Sequence, residues 1–182
     1  MPRNIEIKAR VADIEALTAT VTAIADQGPL EIIQDDTFFK CEAGRLKLRT
    51  FAIGDGELIF YRRNNQTGPK ESFYVRSPTS APETMRDALS LAYGQTGRVQ
   101  KRRTLFIVGR TRVHLDRVSG LGNFLELEIV LDEHEPFEAG VREAHEFMTR
   151  LSVDPSQLIE GAYIDLLDSA DKVSQHESFP RE

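Results

Sequence analysis

The chain alternates between two hydrophobic periods, and the change from one to the other divides it into elements. Where apolar residues recur every three to four positions they predict helices. Asp13 can cap one that carries Leu17, Val21 and Ile24 on a face and ends at Gly28, before Pro29. Ser80-Ala81-Pro82-Glu83 has the form of a capping box with proline at the first helical position, followed by Met85, Leu89 and Ala92. After Pro136 comes a third helix through Phe137, Val141, Ala144, Met148 and Leu151. Asp154-Pro155-Ser156-Gln157 repeats the capping logic and opens a last helix through Ile159, Tyr163 and Leu166.

Elsewhere the period is two, which predicts strands. Residues 4 to 11 alternate Asn4, Glu6, Lys8 and Arg10 with Ile5, Ile7, Ala9 and Val11. Arg45, Lys47 and Arg49 alternate with Leu46 and Leu48. Residues 57–63 and 70–76 form two more strands across a polar turn, 101–110 and 111–118 a bent pair around Gly109. The turn from Ser119 to Asn123 leads into 124–131, with Glu126 and Glu128 on one face and Leu125, Leu127 and Ile129 on the other. One such strand alone would read as an antiparallel sheet with a dry and a wet face. Here the polar faces of several strands are densely ionic, and the helices need an apolar sheet surface to cover. If the helices lie outside a closed sheet, the ionic faces line its inside.

The bulk numbers fit this picture. The 182 residues suit one compact domain, placed at 1–168, with 169–182 as a polar tail. The composition, 40% hydrophobic and 29% charged, is that of a globular protein. The N-terminus enters the alternation directly, so no leader is expected. No apolar run approaches the length of a membrane span. The lone Cys41 cannot form an internal disulfide, and a cytoplasmic setting is the default. A net charge of −6 argues against a nucleic-acid binder. Basic residues nevertheless concentrate between 40 and 76 and at Lys101, Arg102 and Arg103, which suggests a local anion site.

Lysines and arginines converging from several strands suit a polyanion, because guanidinium groups grip phosphate oxygens in pairs. Carboxylates on the same wall would repel phosphate unless a cation lies between them. Glu6, Asp116, Glu126 and Glu128 are therefore candidate ligands for Mg²⁺ or Mn²⁺. The alternative is that the carboxylates and cations form cross-strand ion pairs. His114 reads as packing or a wall contact rather than a proton shuttle. His134, His145 and His176 lack metal-ligand spacing, and Tyr61 and Tyr74 read as cross-strand packing.

These residues together resemble the CYTH superfamily, the triphosphate-tunnel metalloenzymes that include class IV adenylyl cyclases and triphosphatases. The family's Glu-x-Glu-x-Lys signature appears as Asn4-Ile5-Glu6-Ile7-Lys8, with asparagine in place of the first glutamate. The stretches Asp35-Asp36-Thr37-Phe38-Phe39, Arg45-Leu46-Lys47-Leu48-Arg49, 101–109, His114-Leu115-Asp116 and 120–126 are similar to the class IV cyclases. The resemblance spans residues 4 to 167. It implies an α+β fold, a closed or nearly closed antiparallel eight-stranded β-barrel with helices packed outside. It also implies a triphosphate-containing small-molecule substrate and leaves a homodimer open. Glu6, Lys8 and Glu126 would be catalytic. Glu6 and Glu126 would bind metal, with Glu128 and Asp116 nearby. Lys8, Arg10, Arg45, Lys47, Arg49, Lys70, Lys101 and Arg103 would hold the triphosphate, joined by Arg62 or Arg63. Asn4 can offer an oxygen but no charge. Adenylyl cyclase, triphosphatase and a non-catalytic polyphosphate- or nucleotide-binding module all remain open.

Overall fold

The structure, a computed structural model, describes residues 3–63 and 67–169. Eight antiparallel strands close on themselves: β1 (Arg3–Arg10), β2 (Gln27–Phe39), β3 (Arg45–Phe51), β4 (Gly56–Arg63), β5 (Lys70–Thr79), β6 (Gln95–Val108), β7 (Thr111–Val118) and β8 (Gly122–Leu131). Their order around the barrel is β1-β5-β4-β3-β2-β6-β7-β8. The expected closed barrel is therefore present. Helices α1 (Ile14–Thr22), α2 (Pro82–Tyr93), α3 (Phe137–Arg150) and α4 (163–169) lie outside or across one end.

Period-two patterning fixes which side chains point where. The odd positions of β1 and β8 (Ile5, Ile7, Leu125, Leu127 and Ile129) are fully buried on the outer face, against Ile14, Val21, Ala144, Phe147 and Met148 of α1 and α3. The charged even positions consequently face inward. Gly140 lets α3 approach closely: a Cβ there would come 2.5 Å from Ile5 Cγ1 and 2.7 Å from Leu131 Cδ2. A second cluster, with Phe38, Val99, Phe124, Tyr163 and Ile164, fills one end of the barrel.

Three boundaries differ from the sequence expectation. Asp13 does cap α1, accepting from the Glu15 and Ala16 amides at 3.1 and 2.9 Å, but the helix ends at Thr22 rather than Gly28. Gly28 instead lies in a bulge of β2 with φ of 109°, where a Cβ would meet the Leu105 carbonyl at 2.7 Å. The capping box at Ser80 does not form; Ala81 is the N-cap of α2 without a side-chain bond, and Pro82 alone marks the start. Asp154 and Gln157 form their capping box, but on a single 3₁₀ turn, Pro155–Gln157. The chain then pairs with β1, through an Ala9–Leu158 bridge and the Ile159 amide bonded to the Lys8 carbonyl at 2.9 Å, and the last helix begins only at residue 163. The polar tail expected from residue 169 falls, from 170 onward, outside the described residues. Among the described residues no helix is long and apolar enough to cross a membrane.

Candidate functional site

The barrel interior holds a cavity of about 310 Å³, within the range of small-molecule sites. Each strand contributes alternate residues: Asn4, Glu6 and Lys8 from β1, Lys47 and Arg49 from β3, Lys101 and Arg103 from β6, Arg112 and His114 from β7, Glu126 and Glu128 from β8. Register brings them together across strands. Lys8 lies opposite Glu126, Glu6 opposite Glu128, and His114 opposite Glu126 on the other side. Among the described residues the wall carries seven cations and five carboxylates, a surplus of two positive charges.

Three ion-paired groups organise this wall. Asp36 accepts from Lys47 Nζ at 2.7 Å and from Arg49 Nε and Nη2 at 2.7 and 2.8 Å. Asp116 receives the same fork from Arg103, two bonds of 2.7 Å, with Lys101 Nζ at 3.3 Å. Glu126 pairs with Lys8 and stands 3.3 Å from Arg103 Nη2. Burial alone would raise these carboxyl pKa values. The facing cations outweigh it, and Asp36, Asp116 and Glu126 are all held below the usual carboxylate range. Two of the lysines, Lys47 and Lys101, shift downward because burial disfavours their charged form. Burial and the neighbouring Arg103 push Lys101 down to about 7, and burial with Arg49 brings Lys47 to about 8.

Tyr163, from the start of α4, closes the cluster. Its hydroxyl donates to Asp116 Oδ2 at 2.8 Å, and its ring lies under Lys8 Nζ at 3.8 Å and Lys101 Nζ at 5.1 Å from the centroid.

Some of the residues singled out from the sequence take other places. Arg10 is exposed, over the Phe124 ring and 3.5 Å from the Leu121 carbonyl. Arg45 bonds Asp165 at 2.5 Å. Lys70 is buried and donates to the Glu160 carbonyl at 2.8 Å, tethering the segment that leads to α4. Arg62 is exposed beside the Phe73 ring, and the side chain of Arg63 lies outside what the structure describes. Asp116 is fully buried behind the wall, with both oxygens occupied. Conversely Asp36, Glu57, Arg76, Arg112 and Tyr163 line the cavity. Of these, Asp36 and Arg112 were legible by parity within their strands. Tyr163 was not, because a helical tyrosine carries no sign of the strands it will meet.

A divalent cation fits this donor set. His114, Glu126 and Glu128 offer three ligand atoms within 4.8 Å of one another. Asn4 Oδ1 and His114 Nδ1 are buried without a hydrogen-bond partner, which in a satisfied interior is uncommon.

Comparison with known proteins agrees with the architecture. The CYTH domain model matches residues 2–163. The chain is 25% identical over 175 residues to the adenylate cyclase CyaB of Aeromonas hydrophila, covering 92% of this chain and 90% of the relative. In structure it is similar to the PH1012 protein of Pyrococcus horikoshii OT3, with a TM-score of 0.79, 22% identity and coverage of 90% and 98% of the two chains. It is also similar to HpAC1 of Hippeastrum, a candidate adenylyl cyclase with a dominant triphosphatase activity, with a TM-score of 0.65, 16% identity and coverage of 92% and 96%.

Proposed function

From the premise that the chain belongs to the CYTH domain family, whose enzymes are metal-dependent and bind triphosphate substrates, we propose that it converts ATP to cyclic AMP and pyrophosphate in the barrel. The carrying observation is the mixed chemistry of the wall. Lys8, Lys47, Arg49, Lys101 and Arg103 supply cations, while Ile32, Phe38, Phe51, Ile59 and Leu105 supply apolar surface among them. The first suits a phosphate chain and the second a nucleoside.

Glu126 and Glu128, with His114 and Glu6 beside them, would hold the cation, which neutralises charge developing on the transferred phosphoryl group. Lys47, Arg49 and Arg103 would bind and orient the phosphates, and Asp36 and Asp116 fix the two guanidinium forks in position. In the reaction the ribose 3′ oxygen forms a bond to the α-phosphorus as the bond to the bridging oxygen breaks. Pyrophosphate leaves toward the lysines and arginines of the wall, and the 3′ proton passes to solvent or a wall carboxylate. Tyr163 limits water at the closed end.

The likeness to HpAC1 favours a second reading, hydrolysis of the terminal phosphate of ATP, inorganic triphosphate or thiamine triphosphate. The two differ in which phosphorus faces the nucleophile. Incubating the purified protein with each compound and Mg²⁺ or Mn²⁺, then identifying products, separates them. Cyclic AMP with pyrophosphate from ATP is expected. Orthophosphate would establish the second reading, and binding without turnover would overturn both.

A further inference from the structure

A histidine faces the carboxylate pair, and its surroundings say what it is for. His114 is opposite Glu126 in the β7–β8 register, and Glu128 lies two residues along the same face. The imidazole is 4% exposed and has no hydrogen-bond partner at Nδ1. That atom is 3.8 Å from Glu126 Oε1 and 3.8 Å from Glu128 Oε1. Such spacing exceeds a hydrogen bond. It is close to the edge of a coordination polyhedron, about 3–3.4 Å for metal–ligand bonds of about 2.0–2.2 Å. The other Glu128 oxygen is engaged by Arg112 at 3.1 Å, which orients the free one toward His114. A histidine serving packing alone would have satisfied Nδ1 within the interior.

We infer that His114, Glu126 and Glu128 form an imidazole–dicarboxylate centre that selects a nitrogen-accepting transition ion (Mn²⁺, Co²⁺ or Zn²⁺) over Mg²⁺. The reason is ligand preference: Mg²⁺ takes oxygen donors almost exclusively, whereas imidazole suits the later divalent ions. This rests on the metal-dependent reading above and sharpens it, because it names a ligand that an all-oxygen site would not have.

The test needs no turnover. The whole protein is titrated calorimetrically with Mg²⁺, Mn²⁺ and Co²⁺, and the Mn²⁺ form is examined by electron spin-echo spectroscopy for nitrogen coupling. Imidazole nitrogen coupling is expected in the native protein, with Co²⁺ binding at least about 100-fold tighter than Mg²⁺. His114→Asp should abolish the coupling and reduce the Co²⁺ to Mg²⁺ preference by about 10–100-fold. Bound Mn²⁺ without nitrogen coupling in the native protein would overturn the inference while leaving metal dependence intact, whatever the variant does. Failure of all three ions to bind, with or without inorganic triphosphate, would overturn both.

Discussion

Asp36→Asn should weaken the protein and strengthen its hold on triphosphate at the same time. Asp36 is 2% exposed and is the shared acceptor for Lys47 and Arg49. Removing its charge leaves two cations facing each other in the interior, a loss of about 3–5 kcal/mol for a broken buried pair. For a domain of this size about 2–4 °C accompanies each kcal/mol, so the melting temperature should fall by about 6–20 °C. Part of the loss is recoverable by deprotonating Lys47, whose pKa of about 8 in the native protein falls further once Asp36 is neutral, so the deficit should be largest at low pH and narrow as pH rises toward about 8. Triphosphate then finds a guanidinium and an ammonium no longer bonded to a carboxylate. Regaining one charge-assisted bond of about 1.5 kcal/mol corresponds to roughly tenfold tighter binding. Differential scanning calorimetry with and without inorganic triphosphate measures both effects. A melting temperature equal to that of the native protein would refute the burial argument. A lower one that triphosphate raises no further than in the native protein would refute the competition argument.

Three other outcomes follow from the same geometry. Lys47 is depressed by burial, so in the free protein it loses its proton as pH rises through about 8, and triphosphate must then restore it; the affinity should fall with rising pH, by at most about tenfold per unit, with proton uptake visible in buffers of different ionisation enthalpy. A flat profile from about pH 7 to about pH 9.5 would show that Lys47 does not meet the ligand. Gly140→Ala forces a methyl against Ile5 and Leu131, and overpacking should cost about 1–3 kcal/mol in denaturant unfolding without changing triphosphate affinity. Tyr163→Phe removes the hydroxyl bonded to Asp116 but keeps the ring under Lys8 and Lys101; unfolding free energy should drop by about 1.5–3 kcal/mol, and an unchanged value would mean that the hydroxyl bond carries no net weight.

The barrel was legible where alternation is strict. In β1, β7 and β8 most apolar residues sit at odd positions against the helices and most charged ones at even positions, with Thr111 and Arg117 as outward exceptions bonded to Glu143 and Glu15, so parity placed Glu6, Lys8, Glu126 and Glu128 inside. It was illegible in the first half of β2, where Gly28, Pro29 and the consecutive Ile32 and Ile33 break the period of two. There β2 pairs with β6 alone and β3 joins only from Gln34 onward. Residues 95–100 were likewise missed, being polar and glycine-containing, yet they extend β6 along β2. Within the site, the basic residues of β3 and β6 could be named from the sequence, but not which carboxylate each would bond. Lys47 and Arg49 share Asp36 from the next strand, and Lys101 and Arg103 share Asp116, so which carboxylate restrains which cation depends on register. Lys70 and Arg45 have the charge of phosphate ligands, but contacts with Glu160 and Asp165 place them on the C-terminal segment, something local pattern cannot foresee.

Closure of the barrel joins β1 to β8, and with them Lys8 to Glu126, residues 118 positions apart in the chain. A ribosome must therefore release more than two thirds of the polypeptide before the first strand meets its last partner. Until then Lys8 and Glu6 remain on an open edge with no carboxylate from β8 opposite them. Such distant pairing slows folding and leaves a long interval in which the nascent chain exposes unpaired strand. It also means that Lys8 and Glu6 join the carboxylate pair only on closure, although His114, Glu126 and Glu128 already share the β7–β8 hairpin, so the Lys8 charge that restrains Glu126 arrives after its metal-facing neighbours.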